Sequence, residues 1–284
     1  MTQSPLIIHP TTQLHIDMIS QNLPHALILS GPSGVGVATI AKQLAKHHGS
    51  PSLTIEPKKK GSDGKFSVDF NAGSMIIDDI RELYSSTRTK HSQKHVYVFD
   101  FGDRTMSVQA QNAFLKLLEE PQDGTHFILA THRLDKLLPT IISRSQTIQI
   151  LPVLQEQTDE LLNSVSNIDQ MKRSRLQFIA KGLPAEIIRL QEDDAYYEKR
   201  IKIMQDAKTM ISGTPYEKLL TAHAYKDDRS GAVTLLGDMM MQLTVVLKST
   251  KNTAQAAKLT QLIDTQDALN VNGNIRLHLA RSVV

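Results

Sequence analysis

The chain opens with apolar runs alternating with amphipathic stretches, and past its midpoint it keeps only the amphipathic ones. HALILS (His25–Ser30), HVYVFD (His95–Asp100), HFILAT (His126–Thr131) and TIQI (Thr147–Ile150) are short, apolar and rich in β-branched or aromatic residues. Each predicts a buried strand. VATIAKQLAKHH lies between the first two and puts Ile40, Leu44 and His47 or His48 on one side of a helix. SVQAQNAFLKLLEEP predicts a second helix, capped by Ser107, buried along Ala110, Phe114, Leu117 and Leu118, and stopped by Pro121. Strand–helix alternation of this kind predicts a parallel sheet with helices on both faces.

After about residue 151 the strand signals stop. EQTDELLNSV, QMKRSRLQFIA, PAEIIRLQEDDAYYEKRIKIMQDAKTMI, AVTLLGDMMMQLTVVLKS and AAKLTQLID all carry helical periodicity, and ISGTP (Ile211–Pro215) reads as a joint between two helical units. The expected organisation is an α/β domain over 1–150, a small helical domain over 151–212 and a second helical domain over 213–284. Pro51–Ser67 is rich in Lys, Gly, Pro and Ser and is expected to be an exposed loop or small hairpin with a solvated lysine run. There is no internal repeat.

Composition narrows the chemistry. The 284 residues are 40% hydrophobic, enough for a sizeable core in about two domains. The net charge of +3 permits nucleic-acid contact but lacks the dense basic stripe of a dedicated binder. With no cysteine, disulfides, thiol catalysis and cysteine zinc sites are excluded. The histidine pairs His47–His48 and His91/His95 have no partners at zinc spacing, so no metal is expected. Aromatic residues are 5% of the chain and Trp is absent, so base-stacking platforms are scarce. The start, MTQSPLIIHPTTQ, lacks signal-peptide character, and no apolar run reaches a membrane span. A cytoplasmic protein without membrane contact is expected.

The stretch GPSGVGVAT (Gly31–Thr39) is nearly a phosphate-binding loop. The pattern G-x-x-x-x-G-K-[ST] requires Gly31 and Gly36, which are present, then a lysine and a hydroxyl, where this chain has Val37 and Ala38. Gly34 falls inside the loop. A tight strand-to-helix turn would use the same glycines, but this loop follows a buried strand and opens a helix, as a phosphate loop does. Neither Val37 nor Ala38 can meet a phosphate or a metal. Lys42 lies roughly 7.5 Å up the helix from Val37 and about 140° round it, so it is expected to point away; Thr39 is about 100° off the metal direction. At the end of the second strand Asp100 stands where such an NTPase holds its metal shell, yet Phe101 replaces the glutamate that activates water. Asp100 would equally serve as a turn cap.

The segment QNAFLKLLEEPQDGTHFILATHRLDKLLPTIISRSQ (Gln111–Gln146) closely resembles the AAA+ subunits of DNA clamp loaders, and best the delta-prime subunit family of bacterial DNA polymerase III. Asn112, Leu115, Lys116, Leu118, Glu119, Glu120 and Pro121 match the family's N-x-L-L-K-x-L-E-E-P block. Leu137, Leu138, Pro139, Thr140, Ile141, Ser143 and Arg144 match L-L-P-T-I-x-S-R-C, with Ser145 for the cysteine. LPHALILSGPSGVG, IDDIRELYSS and the closing ALNVNGNIRLHLARSVV are similar to further family segments. The likeness is specific over 20–150 and looser beyond. Glu119 and Glu120 sit at a helix's negative end, where acids are unfavourable; they are expected to be kept for contacts with a neighbour.

The resemblance implies an AAA+ domain with a degenerate P-loop, a helical lid and a helical collar. It implies a non-catalytic subunit of a loader ring, with motor ATPase subunits, a clamp-opening subunit, a sliding clamp and primer-template DNA as partners. It implies that Arg144, placed by Ser143, reaches a neighbour's ATP as an arginine finger. No cofactor is expected in the chain's own loop. The lid stretch AKGLPAEII has Gly182, but Ala185 where active relatives carry a sensor arginine. Many relatives insert a four-cysteine zinc module where this chain has Pro51–Ser67, and the collar is short for the family. An active ATPase of the same family and a DNA-binding adaptor with a dead P-loop are the rival readings.

Overall fold

The structure is a computed structural model and describes residues 6–48, 53–61, 64–70, 73–87, 95–164, 169–250, 253–270 and 273–281. His91, one of the histidines considered above, lies outside them. The chain forms two compact units, residues 1–188 and 189–284.

The first unit begins with α1 (Pro10–Gln21), β1 (Ala26–Ser30) and α2 (Val37–His48). Three short strands follow, β2 (Leu53–Ile55), β3 (Lys58–Lys60) and β4 (Phe66–Val68), then α3 (Ile77–Thr87). The sheet continues through β5 (His95–Gly102), α4 (Val108–Glu119) and β6 (Thr125–Thr131). A 3₁₀ turn at Leu134–Lys136 leads to the short α5 (Pro139–Ile142) and β7 (Gln146–Gln149). The helices α6 (Gln155–Ser164), α7 (Gln170–Ala180) and α8 (Pro184–Glu192) come next. The five sheet strands run β2-β5-β6-β1-β7, all pairs parallel, and β3 pairs with β4 as an antiparallel hairpin.

Strand periodicity divides the core in two. Ala26, Ile28, Tyr97, Phe99, Phe101, Phe127 and Leu129 face α3, α4 and α5, and Phe99, Phe114 and Phe127 form an aromatic cluster with ring centroids 5.1–6.4 Å apart. The alternate positions Leu27, Leu29, Val96, Val98, Ile128 and Ala130 face α1 and α2 through Ile16, Ile19, Ile40 and Leu44. Because both faces are covered, the strands read as continuous apolar runs. Ser107 caps α4 as expected, accepting from the Ala110 N–H at 3.2 Å. The Pro51–Ser67 region holds the expected hairpin, but Leu53–Ile55 also adds an edge strand to the sheet against β5.

The second unit contains α9 (Asp194–Ser212), α10 (Pro215–Ala224), α11 (Arg229–Thr250), α12 (Thr253–Asn270) and α13 (Ile275–Arg281). Ile203, Met210, Ala232, Leu235, Leu236, Met239, Leu262 and Leu279 form its core. The joint at ISGTP is a capping box: the Glu217 N–H donates to the Thr214 hydroxyl, and the Glu217 carboxylate accepts from the Thr214 N–H at 2.7 Å. Against the sequence expectation that no apolar run reaches a membrane span, Arg229–Leu247 is long and apolar enough to cross one by length and composition alone. Here it packs as a core helix, and its Asp238 is buried against Arg200 at 2.8 Å.

Candidate functional site

The glycine loop connects β1 to α2, as its sequence implied. Gly34 and Gly36 have φ of +86° and +96°, in the left-handed region that other residues avoid. A Cβ on Gly31 would come within 2.6 Å of the Ile150 carbonyl oxygen, so the strand end leaves room only for glycine. His132 Nδ1 lies 2.9 Å from the Gly31 carbonyl oxygen. The loop is therefore well built.

The two positions after it are not equipped for phosphate. Val37 is 1% exposed and packs with Val35, Ile40 and Leu183 in the core. Its side chain fills apolar space and points no donor outward. Ala38 supplies no oxygen for a metal. The start of α8 meets the loop directly. The Ala185 and Glu186 N–H groups, in the first turn of α8 where no carbonyl of the helix itself lies within reach, both donate to the Gly34 carbonyl, at 2.9 and 3.3 Å. Ala185, which the resemblance set at a sensor-arginine position, thus lies against the loop with only a methyl side chain.

Lys42 corrects the sequence reading. It was expected to point away, yet its Nζ lies 3.2 Å from Asp100 Oδ2 and 3.4 Å from Glu56 Oε1. Lys42 is four residues past Ala38, hence on the same face one turn on, and helical side chains lean back toward the N-terminus. Asp100 is mostly buried, with its side chain 10% exposed. Burial acts to lower the Lys42 ammonium pKa, but the Asp100 charge and hydrogen bond, with Glu56 behind them, outweigh it and hold the pKa above its ordinary value. The carboxylate left at the strand end is thus neutralised by the chain's own ammonium. Among the described residues no group of three His, Asp or Glu is placed to hold a metal.

Phe101 alternates to the other face of β5. It is fully buried and stacks at 6.0 Å on Phe99. Asp100 and Phe101 therefore serve opposite sides of the sheet: one ends in an ion pair, the other in the core.

The second constellation surrounds Arg144, just past α5. Buried Gln111 on α4 fixes this region. Its amide Nε2 donates to the Met106 and Lys136 carbonyls at 3.2 and 3.1 Å, and its Oε1 accepts from the Leu138 N–H at 2.8 Å. The Ser143 hydroxyl donates to the Thr140 carbonyl at 3.1 Å, and Arg144 Nη1 donates to the same oxygen at 3.2 Å. Ser145 donates to the Ile141 carbonyl at 2.9 Å, so the serine in the cysteine position ties down the same turn. The Arg144 guanidinium stays exposed, with Nη2 2.9 Å from Glu119 Oε1. Glu119 was expected to serve a neighbour; here its carboxylate meets Arg144 of the same chain.

Sequence reasoning located the loop, Asp100 and Arg144. It missed Lys42, Glu56, Gln111 and the Glu119 contact. The helical spacing from Ala38 to Lys42 was the one available signal.

The family model described as DNA polymerase III, delta subunit, matches residues 9–153. The chain is 27% identical over 205 residues to the DNA polymerase III subunit delta' of Bacillus subtilis, covering 68% of this chain and 61% of that protein. It is 28% identical over 188 residues to the B. subtilis subunit tau, covering 61% of this chain and 33% of that one. It is 26% identical over 247 residues to the subunit gamma of Buchnera aphidicola from Acyrthosiphon pisum, covering 80% and 68%. The chain thus spans less than two thirds of the first two relatives. A solved gamma subunit-related protein of Thermotoga maritima aligns over 96% of this chain and 97% of its own with a TM-score of 0.48 at 17% identity. The matched span runs from the helix before the glycine loop through the strand beyond Arg144, and with it the chain belongs to the DNA polymerase III delta-subunit family of clamp-loader proteins.

Proposed function

We propose that this chain is a non-catalytic, delta-prime-like subunit of a clamp loader. In this reading it scaffolds the ring, assists loading of the sliding clamp on primed DNA, and supplies Arg144 to the ATP held by a neighbouring motor subunit. The three-part organisation of α/β domain, lid and collar belongs to the same proposal, as does a cytoplasmic location.

One observation carries it. Four positions of the nucleotide constellation are answered from within the chain: Val37 is in the core, Asp100 is paired with Lys42, Phe101 is in the core, and the Gly34 carbonyl is bonded by the first turn of α8. Arg144 of the matched S-R motif, by contrast, stands just past α5 with its guanidinium partly exposed. Its fixed positive charge suits the negative charge that builds on a γ-phosphate in the transition state.

The test is clamp- and DNA-stimulated ATP turnover by the reconstituted loader, comparing native chain with Arg144→Ala. Loss of most of the rate with assembly intact supports the proposal. An unchanged rate overturns the finger assignment. Turnover by the isolated chain would instead favour an ATPase of the gamma and tau kind.

A further inference from the structure

We infer that Glu119 is a positioning residue for Arg144. The inference rests on the finger reading of Arg144 proposed above.

Arginine is a long side chain, and held free in solvent it would spread over many rotamers; about 2 kcal/mol of rotamer entropy is at stake. Here two contacts restrict it. Nη1 donates to the Thr140 carbonyl at 3.2 Å, and Nη2 lies 2.9 Å from Glu119 Oε1. The two come from different elements, since Thr140 is on α5 and Glu119 ends α4. Gln111 ties α4 to the loop before α5, so the anchor and the finger are held in one frame. A guanidinium has five N–H donors, and these contacts engage two of them, which leaves donors for a phosphate while Glu119 stays in place. The pair is also exposed, with side chains 39% and 51% accessible, so a phosphate can approach without a buried ion pair having to break.

The placement accounts for an acid at an unfavourable helix end. A carboxylate at the negative pole of α4 costs about 0.3–1 kcal/mol in helix stability. The contact with Arg144 offsets that cost and gives the position a use within this chain.

The experiment is ATP titration of the reconstituted loader carrying Glu119→Ala, Glu119→Gln, Arg144→Ala or the Glu119→Ala/Arg144→Ala pair. An exposed ion pair of this kind predicts a fall in kcat of about two- to fivefold for Glu119→Ala, with KM for ATP and ring assembly unchanged. Glu119→Gln keeps an oxygen that can accept from Nη2, so it should recover most of the rate. The double variant should be no slower than Arg144→Ala alone, because Glu119 acts only through the arginine. A native kcat for Glu119→Ala, or an added loss in the double variant, overturns the inference while leaving the finger standing. If Arg144→Ala itself is as fast as native, the finger reading falls and this inference falls with it.

Discussion

Phe101 shows that a residue in a functional slot can be doing structural work. The sequence reading set it where an NTPase would hold a water-activating glutamate, and in the structure it is fully buried and stacked on Phe99. Phe101→Glu would therefore place a carboxylate in an aromatic core without creating an ATPase. We expect a stability loss of about 3–5 kcal/mol or more, read as a lower urea midpoint. Lys42 makes the parallel point for charge. Lys42→Met leaves Asp100 without its cation. Half-exposure of the lysine keeps the expected cost modest, about 1–2 kcal/mol at neutral pH. The lysine pKa is raised in the folded state, so this stabilisation is fully present below the unfolded-state pKa and is lost as pH rises through the folded one. The native–variant difference in urea midpoint should hold from pH 7 to about 10 and shrink above it. A difference that grows with alkalinity would refute the assignment.

At the level of elements, legibility tracked burial. β1, β5 and β6 read clearly because helices cover both of their faces, and α4 because its stripe and cap agree. The edge strand Leu53–Ile55 did not, since it is three residues long, only Ile55 among them is buried, and so short a run beside lysines carries no periodic signal. The candidate site divides the same way. The glycine loop and the S-R motif are local patterns, so sequence displays them. Lys42–Asp100, Gln111–Leu138 and Glu119–Arg144 join residues 58, 27 and 25 positions apart, so only the fold brings them together. Gln111 predicts a measurable element-scale effect. Gln111→Ala strands the Leu138 N–H and the Met106 and Lys136 carbonyls, at a cost of about 1–3 kcal/mol. The Leu138 amide should exchange its hydrogen faster than in the native chain, while β1 amides keep their protection.

Across the whole molecule, the two units have separate cores, and the second contains its own buried ion pair. Arg200 Nη1 and Nη2 reach Asp238 at 2.8 and 3.2 Å. Arg200→Met leaves a buried carboxylate uncompensated and should cost the second unit about 3–5 kcal/mol. Hydrogen-exchange protection should fall across α9–α11 and stay unchanged in β1, β5 and β6. Uniform loss over both units would mean that they unfold as one.

The ammonium beside Asp100 has a consequence for how the protein meets its surroundings. A domain stabilised by a bound ion or ligand has a melting point that follows the supply of that species. Here the counter-cation is covalently part of the chain. It cannot be diluted, chelated or exchanged, and its local concentration is fixed by the helix that carries it. The melting temperature of the first unit should therefore be the same in excess EDTA as in millimolar magnesium at equal ionic strength, so the charge balance at this strand end does not follow the supply of a free divalent cation.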